Sequence, residues 1–317
     1  KKMKRILITG AGGFIGRELV NQLSKNKKNK IIAVDNNIRG NLKSIDENKN
    51  IIVEKVDVRK KEKLRKIFKN IDECYHLAAI NGTKNFYEKP NLVLDVGVMG
   101  TLNVIELVKE YKVKKFIYFS SSEAYQKPNF LPTTEREELK IPDVFNPRFS
   151  YGGSKIIGEL LTINYLRNSK TKYYILRPHN VYGPNMGGDH VLPELIRKLK
   201  KSNKFLKIVG DGNDSRSFIF ISDAVNAIIK VANNGTQNQI YNIGSNDEYK
   251  ITEIVRILCK ILNKKIRIKK SPRHLGSVSK RLPDIKKLKK LKHKNKTNFI
   301  KGLRKTIDYY YFDEKQS

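Results

Sequence analysis

The chain has 317 residues, enough to bury a full core as one large domain or two modest ones. Hydrophobic residues make up 39% and charged residues 30%, an ordinary globular balance, but 65 Lys and Arg against 31 Asp and Glu leave a net charge of +34. Such a charge suits a polyanionic partner, nucleic acid or an acidic membrane. Against that, the Lys residues are spread along the chain rather than gathered in a tail, as in a Lys- and Asn-rich proteome. Two cysteines, Cys74 and Cys259, lie in apolar surroundings, cannot make a disulfide framework and fit a reducing cytoplasm. No apolar stretch approaches the ~18 residues of a membrane span, and Lys1-Lys2-Met3 leads straight into a strand with no signal-peptide core. The expectation is a soluble cytoplasmic protein with no membrane partner.

Short β-branched runs alternate with amphipathic stretches through the first two-thirds of the chain. Strands are predicted at Arg5–Thr9, Ile31–Asp35, Ile51–Val56, Glu73–His76, Lys115–Ser120 and Tyr173–Arg177. Helices are predicted at Phe14–Ser24, Lys61–Phe68, Asn91–Tyr111 and Tyr151–Arg167. This rhythm predicts an α/β fold, a doubly wound parallel sheet of the Rossmann type, over 1–178 and completed by 205–243. After Pro178 the rhythm loosens, with helices near Pro193–Lys201, Ser222–Ala232, Ile251–Leu262 and Phe299–Tyr310. Segments 179–204 and 244–317 read as a smaller C-terminal substrate-binding region. The densest basic run, Lys286–Lys296, reads as a solvated helix face and loop, and nucleic acid is not the expected partner.

The opening RILITGAGGFIG is a strand, a glycine-rich turn and a helix start, with Gly10, Gly13 and Gly16 three apart. Glycines here let the backbone turn tightly and approach a pyrophosphate, whose charge a helix N-terminus favours. Asp35, closing the second strand, is placed to bind an adenosine ribose through its hydroxyls; a carboxylate there repels a 2′-phosphate and favours NAD over NADP. Arg39, close by, leaves NADP as a minority option. Asp57 after the third strand reads either as an acceptor for the adenine amino group or as a helix N-cap.

Tyr151 and Lys155 stand four apart at a helix start and so share one face. An ammonium beside a phenol favours the phenolate, which is expected to bring the Tyr151 pKa down towards operating pH and make it a general base.

These residues, together with TGAGGFIG (9–16), HLAA (76–79), GTLNV (100–104), SSSEAY (120–125), YGGSK (151–155), RPHNVYGP (177–184), GDGNDSRSFIFISDAV (210–225) and KRLPDIKKL (280–288), resemble the extended short-chain dehydrogenases, the NAD-dependent nucleotide-sugar epimerases and dehydratases. The likeness runs along nearly the whole chain. It implies tightly bound NAD, a nucleotide-diphosphate sugar substrate, oxidation at C4 to a 4-keto sugar, and a homodimer joined through a helix bundle. No metal is implied. Carried over residue by residue, it makes Tyr151 the base and Lys155 its helper, with Ser121 or Ser122 bonding the C4 hydroxyl. It lines the cofactor with Gly10, Gly13, Phe14, Ile15, Gly16, Asp35, Asn36, Asp57, Val58, Leu77, Ala78 and Ala79. It gives the substrate diphosphate to Asn180 and Arg216 with Arg281 as a second cation, while Val191 and Leu192 offer backbone groups to the base or sugar. His179 reads as a packed core residue.

Three departures stand out: Gly97 where many relatives carry Asn, Asn81 near a phosphate-reaching Lys of some epimerases, and Gln126 in place of Gly after the Tyr of SSSEAY. Glu123 bears on the net reaction. As a general base at C5 of the 4-keto sugar it points to 4,6-dehydration; as an ion-paired wall residue it leaves 4-epimerisation. Uronate decarboxylation, an NAD-sensing role without catalysis, and polyanion binding are the remaining alternatives.

Overall fold

The computed structural model describes residues 3–46, 48–202, 204–272 and 278–313. Its strands in chain order are β1 (Lys4–Thr9), β2 (Asn29–Asp35), β3 (Ile51–Lys55), β4 (Glu73–His76), β5 (Lys115–Phe119), β6 (Lys172–Pro178), β7 (Val181–Tyr182), β8 (Phe205–Val209), β9 (Ser215–Ser217), β10 (Ile219–Phe220), β11 (Gln239–Ile243), β12 (Glu248–Lys250), β13 (Arg267–Ser271) and β14 (Lys280–Arg281). Helices α1 (Phe14–Ser24), α2 (Lys61–Arg65), α3 (Thr83–Glu88), α4 (Pro90–Leu94), α5 (Thr101–Glu110) and α6 (Ser150–Leu166) fall in the first half. Helices α7 (Val191–Lys201), α8 (Ile221–Asn234), α9 (Ile251–Ile261), α10 (Lys286–Lys290) and α11 (Phe299–Ile307) follow.

The chain divides into two compact units. The first takes 1–126, 139–178 and 225–241; the second takes 127–138, 179–224 and 242–317. Residues 205–224, which the sequence reading assigned to completing the first body, therefore lie in the second. The reason is pairing: β8 runs parallel to β13 and β9 pairs with β12 and β14, all of them second-unit strands.

In the first unit the sheet runs β11, β6, β5, β4, β1, β2, β3 from edge to edge. Strands β3 to β6 pair in parallel throughout. The order reverses between β1 and β4, and a doubly wound sheet opens a ligand crevice beyond the carboxyl ends of the strands at that switch. Ile6, Leu7 and Ile8 of β1 and Ile31, Ala33 and Val34 of β2 are buried, as strands covered on both faces require.

The periodic pattern over 91–111 is not one α-helix. A π-helical segment, Asp95–Gly100, separates α4 from α5, and all three pack against α6. Pro90–Glu110 taken together is long and apolar enough, by length and composition alone, to cross a membrane, which corrects the expectation that no such stretch exists. Half of that apolar window is buried in the fold, including Val93, Val96, Val104, Ile105 and Val108, so core packing accounts for its composition.

The second unit is built around an aromatic cluster. Tyr182, Phe218, Phe220 and Phe299 place ring centroids 5.3 to 5.9 Å apart. The fully buried Asn242 ties distant segments together. Its Nδ2 donates to Thr133 O (2.9 Å) and Asp284 O (3.1 Å), its Oδ1 meets His179 Nε2 at 3.1 Å, and its N–H donates to Glu135 at 3.0 Å.

Candidate active site

The switch point carries the glycine turn. Gly10 has φ +71°, and a Cβ there would fall 2.7 Å from Ala78 N; a Cβ at Gly16 would collide with Gly10 O. Only hydrogen fits at either position. Gly13 stands at the N-cap of α1 with no side chain on the first-turn N–H groups, which begin at Phe14 and Ile15, so these donors and the helix dipole are available to an anion. Asp35 is buried, accepting from Gly12 N at 3.1 Å and Asn37 N at 2.8 Å. Its carboxylate thereby fixes the glycine turn to the end of β2. A cradle closed to side chains, open first-turn donors and a carboxylate at the end of β2 fit a dinucleotide of the NAD type.

The structure places the remaining expected cofactor residues around this turn. Asn36 Nδ2 donates to Asp57 Oδ2 at 3.0 Å. Arg59 reaches the same carboxylate through Nε (3.0 Å), a terminal nitrogen (2.7 Å) and its backbone N–H (2.9 Å). The Arg59 hydrogen bonds, opposed by partial burial, hold Asp57 down at about 2. Asp57 makes a local turn with Arg59 and does not cap α2, whose N-cap is Lys60 without a side-chain bond. The Val58 side chain is buried against Gly100, and its carbonyl accepts from Asn103 at 3.0 Å. Leu77 N donates to Thr9 O at 3.1 Å, and Ala78 and Ala79 are half-buried beside it.

Tyr151 lies in the first turn of α6, its ring stacked on Phe86 at 5.1 Å. Lys155 Nζ sits 5.6 Å from the centre of that ring, 5.3 Å from the Tyr118 ring, and donates to Phe119 O at 2.7 Å. Ser121, not Ser122, hydrogen-bonds the Tyr151 phenol; Ser122 is buried in the turn Ser122–Tyr125. Ser121 Oγ also accepts from Glu123 N at 3.1 Å, which fixes the turn. Glu123 is partly exposed, and its charge bears on Tyr151. Burial dominates the electrostatics. It pushes Tyr151 up to about 12 against the Ser121 hydrogen bond and the charge of Arg39, with Glu123 adding to the rise. It also pulls Lys155 down to about 7, offset in part by Glu159. The expectation that Lys155 brings Tyr151 towards neutral pH is thus corrected for the free protein, because desolvation outweighs the Ser121 hydrogen bond and the charge of Arg39.

The three departures have local causes. A Cβ on Gly97 would fall 2.6 Å from Ser154 Oγ, so an Asn there would strike α6 inside the Tyr–Lys turn. Gln126 takes φ +50° with its side chain buried, donating to Glu123 O at 2.6 Å and lying against Gly152. Asn81 accepts from Gly82 N at 2.7 Å through its side chain and from Asn85 at 2.8 Å through its carbonyl, fixing the approach to α3.

Two buried networks went unread in the sequence. His76 Nδ1 meets Thr9 Oγ1 at 2.7 Å and Nε2 meets Thr101 Oγ1 at 3.0 Å, while Thr101 donates to Gly97 O at 2.7 Å. Because the Thr101 proton goes to Gly97, Nε2 carries the imidazole proton; burial, with the charge of Lys155, lowers His76 to about 3 and keeps it neutral. The second network joins Glu159, Arg177 and Ser120. One signal was available: Tyr151, Lys155 and Glu159 recur at helical spacing on one face.

In the second unit, Arg216 of β9 and Arg281 of β14 are direct register partners, and Tyr249 of β12 is the partner of Arg216 on its other side. Arg216 donates to Ser215 O (2.8 Å), Ser279 O (2.9 Å) and Val278 O (2.6 Å). Arg281 is buried. Asn180, at φ +37°, donates to Ser217 O at 2.9 Å. His179 is buried against Asn242, a packed core residue. Val191 and Leu192 open α7, so their N–H groups lack intrahelical partners, while the Leu192 side chain is fully buried.

A parallel sheet with this strand order, a glycine turn at its switch point and a Tyr–Lys pair on the following helix define a dinucleotide-dependent enzyme of the short-chain dehydrogenase type. The chain belongs to the NAD dependent epimerase/dehydratase family, which it matches over residues 6–244. It is 33% identical over 310 residues to a putative UDP-glucose 4-epimerase of Methanocaldococcus jannaschii, covering 96% of this chain and 97% of that protein. It is 31% identical to a UDP-N-acetyl-alpha-D-glucosaminuronate decarboxylase of Bacillus cytotoxicus, covering 97% of this chain and 98% of that one. Among solved structures it is similar to the UDP-glucuronic acid 4-epimerase of Bacillus cereus in complex with UDP-glucuronic acid and NAD, with 29% identity, TM-score 0.86, and 96% and 98% of the two chains covered.

Proposed function

We propose that this enzyme oxidises the sugar of a nucleotide-diphosphate sugar at C4 and that the 4-keto sugar then leads to 4-epimerisation or 4,6-dehydration. The observation that carries this reading is the Ser121–Tyr151 hydrogen bond with the Lys155 ammonium group against the same phenol ring. Tyr151 takes the C4 hydroxyl proton, Ser121 orients that hydroxyl, and Lys155 steadies the negative charge left on the phenol oxygen. NAD, when bound, supplies the hydride acceptor. Gly10, Gly13, Phe14, Ile15 and Gly16 hold its pyrophosphate and Asp35 its adenosine ribose; Asn36, Asp57, Val58 and Leu77 frame the adenosine half, and Ala78 and Ala79 pass the nicotinamide half. Arg216 and Arg281 hold the substrate diphosphate with Asn180, and Val191 and Leu192 offer N–H groups to the base or sugar.

Glu123 favours the dehydrating branch, because its carboxylate bears on Tyr151 and is partly exposed. It is proposed as the base at C5: the proton it takes goes to the C6 hydroxyl, which leaves as water, and the hydride lost from C4 would return at C6 while the proton held by Tyr151 returns at C5, so that only water is lost. The protein is also proposed to work as a homodimer in the cytoplasm. Leu94, Met99, Ile157, Leu160 and Tyr165 leave apolar surface exposed on α4, the π segment and α6, and both cysteines are free thiols.

The test is NMR and mass spectrometry on the protein incubated with NAD and a panel of nucleotide sugars. Loss of one water from one sugar supports 4,6-dehydration, and unchanged mass with inversion at C4 supports epimerisation. Loss of carbon dioxide from a uronate moves the reaction to decarboxylation. No change with any sugar overturns the reading.

A further inference from the structure

Beneath Lys155 lies a buried group of charges that the proton transfer does not itself use. Glu159 is one helical turn beyond Lys155 and on the same face of α6. Its side chain is 4% exposed and that of Arg177 is 2% exposed. Arg177 Nε donates to Oε1 at 2.8 Å and a terminal nitrogen to Oε2 at 2.6 Å, a two-pronged pair. Ser120 Oγ donates to Oε1 at 2.5 Å. The Arg177 guanidinium lies 4.6 Å from the centre of the Tyr125 ring. One carboxylate is thus tied to the residue before Ser121, to the end of strand β6, and through Arg177 to the turn that carries Ser121 and Glu123.

Burying such a pair is a weak source of stability, because apolar residues of similar volume hold a core as well or better. The pair has a second consequence. Lys155 faces Tyr151 on its own helix, the Tyr118 ring and Phe119 carbonyl on β5, and neutral His76 on β4. Arg177 on β6 is a like charge already engaged by Glu159, and Glu159 favours the charged form of Lys155. We propose that Glu159, held by Arg177 and Ser120, is a positioning residue that keeps Lys155 cationic and Ser121 in register with Tyr151. This rests on the reading of Tyr151 and Lys155 as the proton-transfer pair.

The test is the apolar double variant E159L/R177M, compared with the parent and Tyr151→Phe on the nucleotide sugar that the panel experiment identifies. The double variant is expected to fold and to bind NAD like the parent, while kcat falls about ten-fold or more with KM little changed. Activity needs the charged ammonium and fails as pH rises through the Lys155 pKa, so the alkaline limb of the rate profile moves to lower pH, by about one unit. The tyrosinate absorbance that distinguishes parent from Tyr151→Phe moves to higher pH in the same background. Parental kcat and parental limbs in the double variant, with Tyr151→Phe inactive, overturn the role of Glu159 alone. Parental turnover in Tyr151→Phe overturns the proton-transfer reading and the proposal with it. If the double variant does not fold, Glu159→Asp carries the test: it keeps the charge and shortens the reach, so kcat falls while the alkaline limb stays in place. A displaced limb in that variant overturns the proposal.

Discussion

The candidate polar groups of the two compact units are held by different sets of contacts. In the first unit two buried networks near Tyr151 join side chain to side chain, His76 between Thr9 and Thr101 and Glu159 between Arg177 and Ser120, while Lys155 donates to the Phe119 carbonyl. In the second unit the candidate ligand-binding groups rest on main-chain carbonyls, Arg216 on Ser215, Ser279 and Val278, and Asn180 on Ser217. Proton transfer needs its partners placed within fractions of an ångström, so it favours groups with no alternative position. Holding a diphosphate needs cations that can trade a carbonyl for a phosphate oxygen at little cost. On the proposed function, the contacts around Tyr151 suit placement and those of Arg216 and Asn180 suit exchange.

Tyr151→Phe gives the largest effect. Turnover falls by about 100-fold or more while NAD binding, measured by calorimetry, is retained; near-parental turnover breaks the view of the first unit as the reacting half. Arg216→Ala comes next, raising KM about ten-fold or more with kcat held nearly constant, because a charge-assisted contact to the diphosphate is lost. A fall in kcat with unchanged KM would place Arg216 with the reacting groups and erase the contrast.

Stability against pH sharpens it further. Lys155 has a folded pKa of about 7 against an ordinary 10.5, so from 10.5 down to about 7 the unfolded chain binds a proton that the folded chain does not. Folding is penalised fully below about 7 and is relieved as pH rises towards 10.5. Lys155→Met is therefore expected to melt higher than the parent at neutral pH, with the gap closing towards alkaline pH, and to lose activity. Asp57→Asn shows the smallest effect. Asp57 titrates near 2 when folded and 3.8 ordinarily, so its contribution is present above 3.8 and lost as pH falls towards 2. The variant melts slightly below the parent above that window, and the two converge within it.

The Tyr–Lys pair was legible because four residues along a helix always share a face, and the glycine turn because strand, turn and helix are contiguous. The positions of β1 to β6 follow the same local logic, with boundaries displaced by a residue or two. What was not legible depends on contacts far apart in sequence. The π segment hides inside an ordinary apolar helix pattern, since it is the packing of Gly97 against Ser154 that uses it. The Arg216–Arg281 register requires knowing that β9 and β14 are neighbours. Asp57 was open between two readings, and its neighbour Arg59, two residues on, decided its partners. Gln126 was read as a departure, and its buried amide on Glu123 O explains why a side chain stands at a positive φ.

The π segment also constrains how the chain tolerates changes in length. Each residue of an α-helix advances the face by about 100°, and a π segment holds one residue beyond the α repeat. Deleting one residue within 95–100 would restore an even pitch at the cost of turning Thr101 away from His76 or Gly97 away from Ser154. A one-residue gap here, harmless in a surface helix, would unhook the glycine crevice from the helix that bears the Tyr–Lys pair.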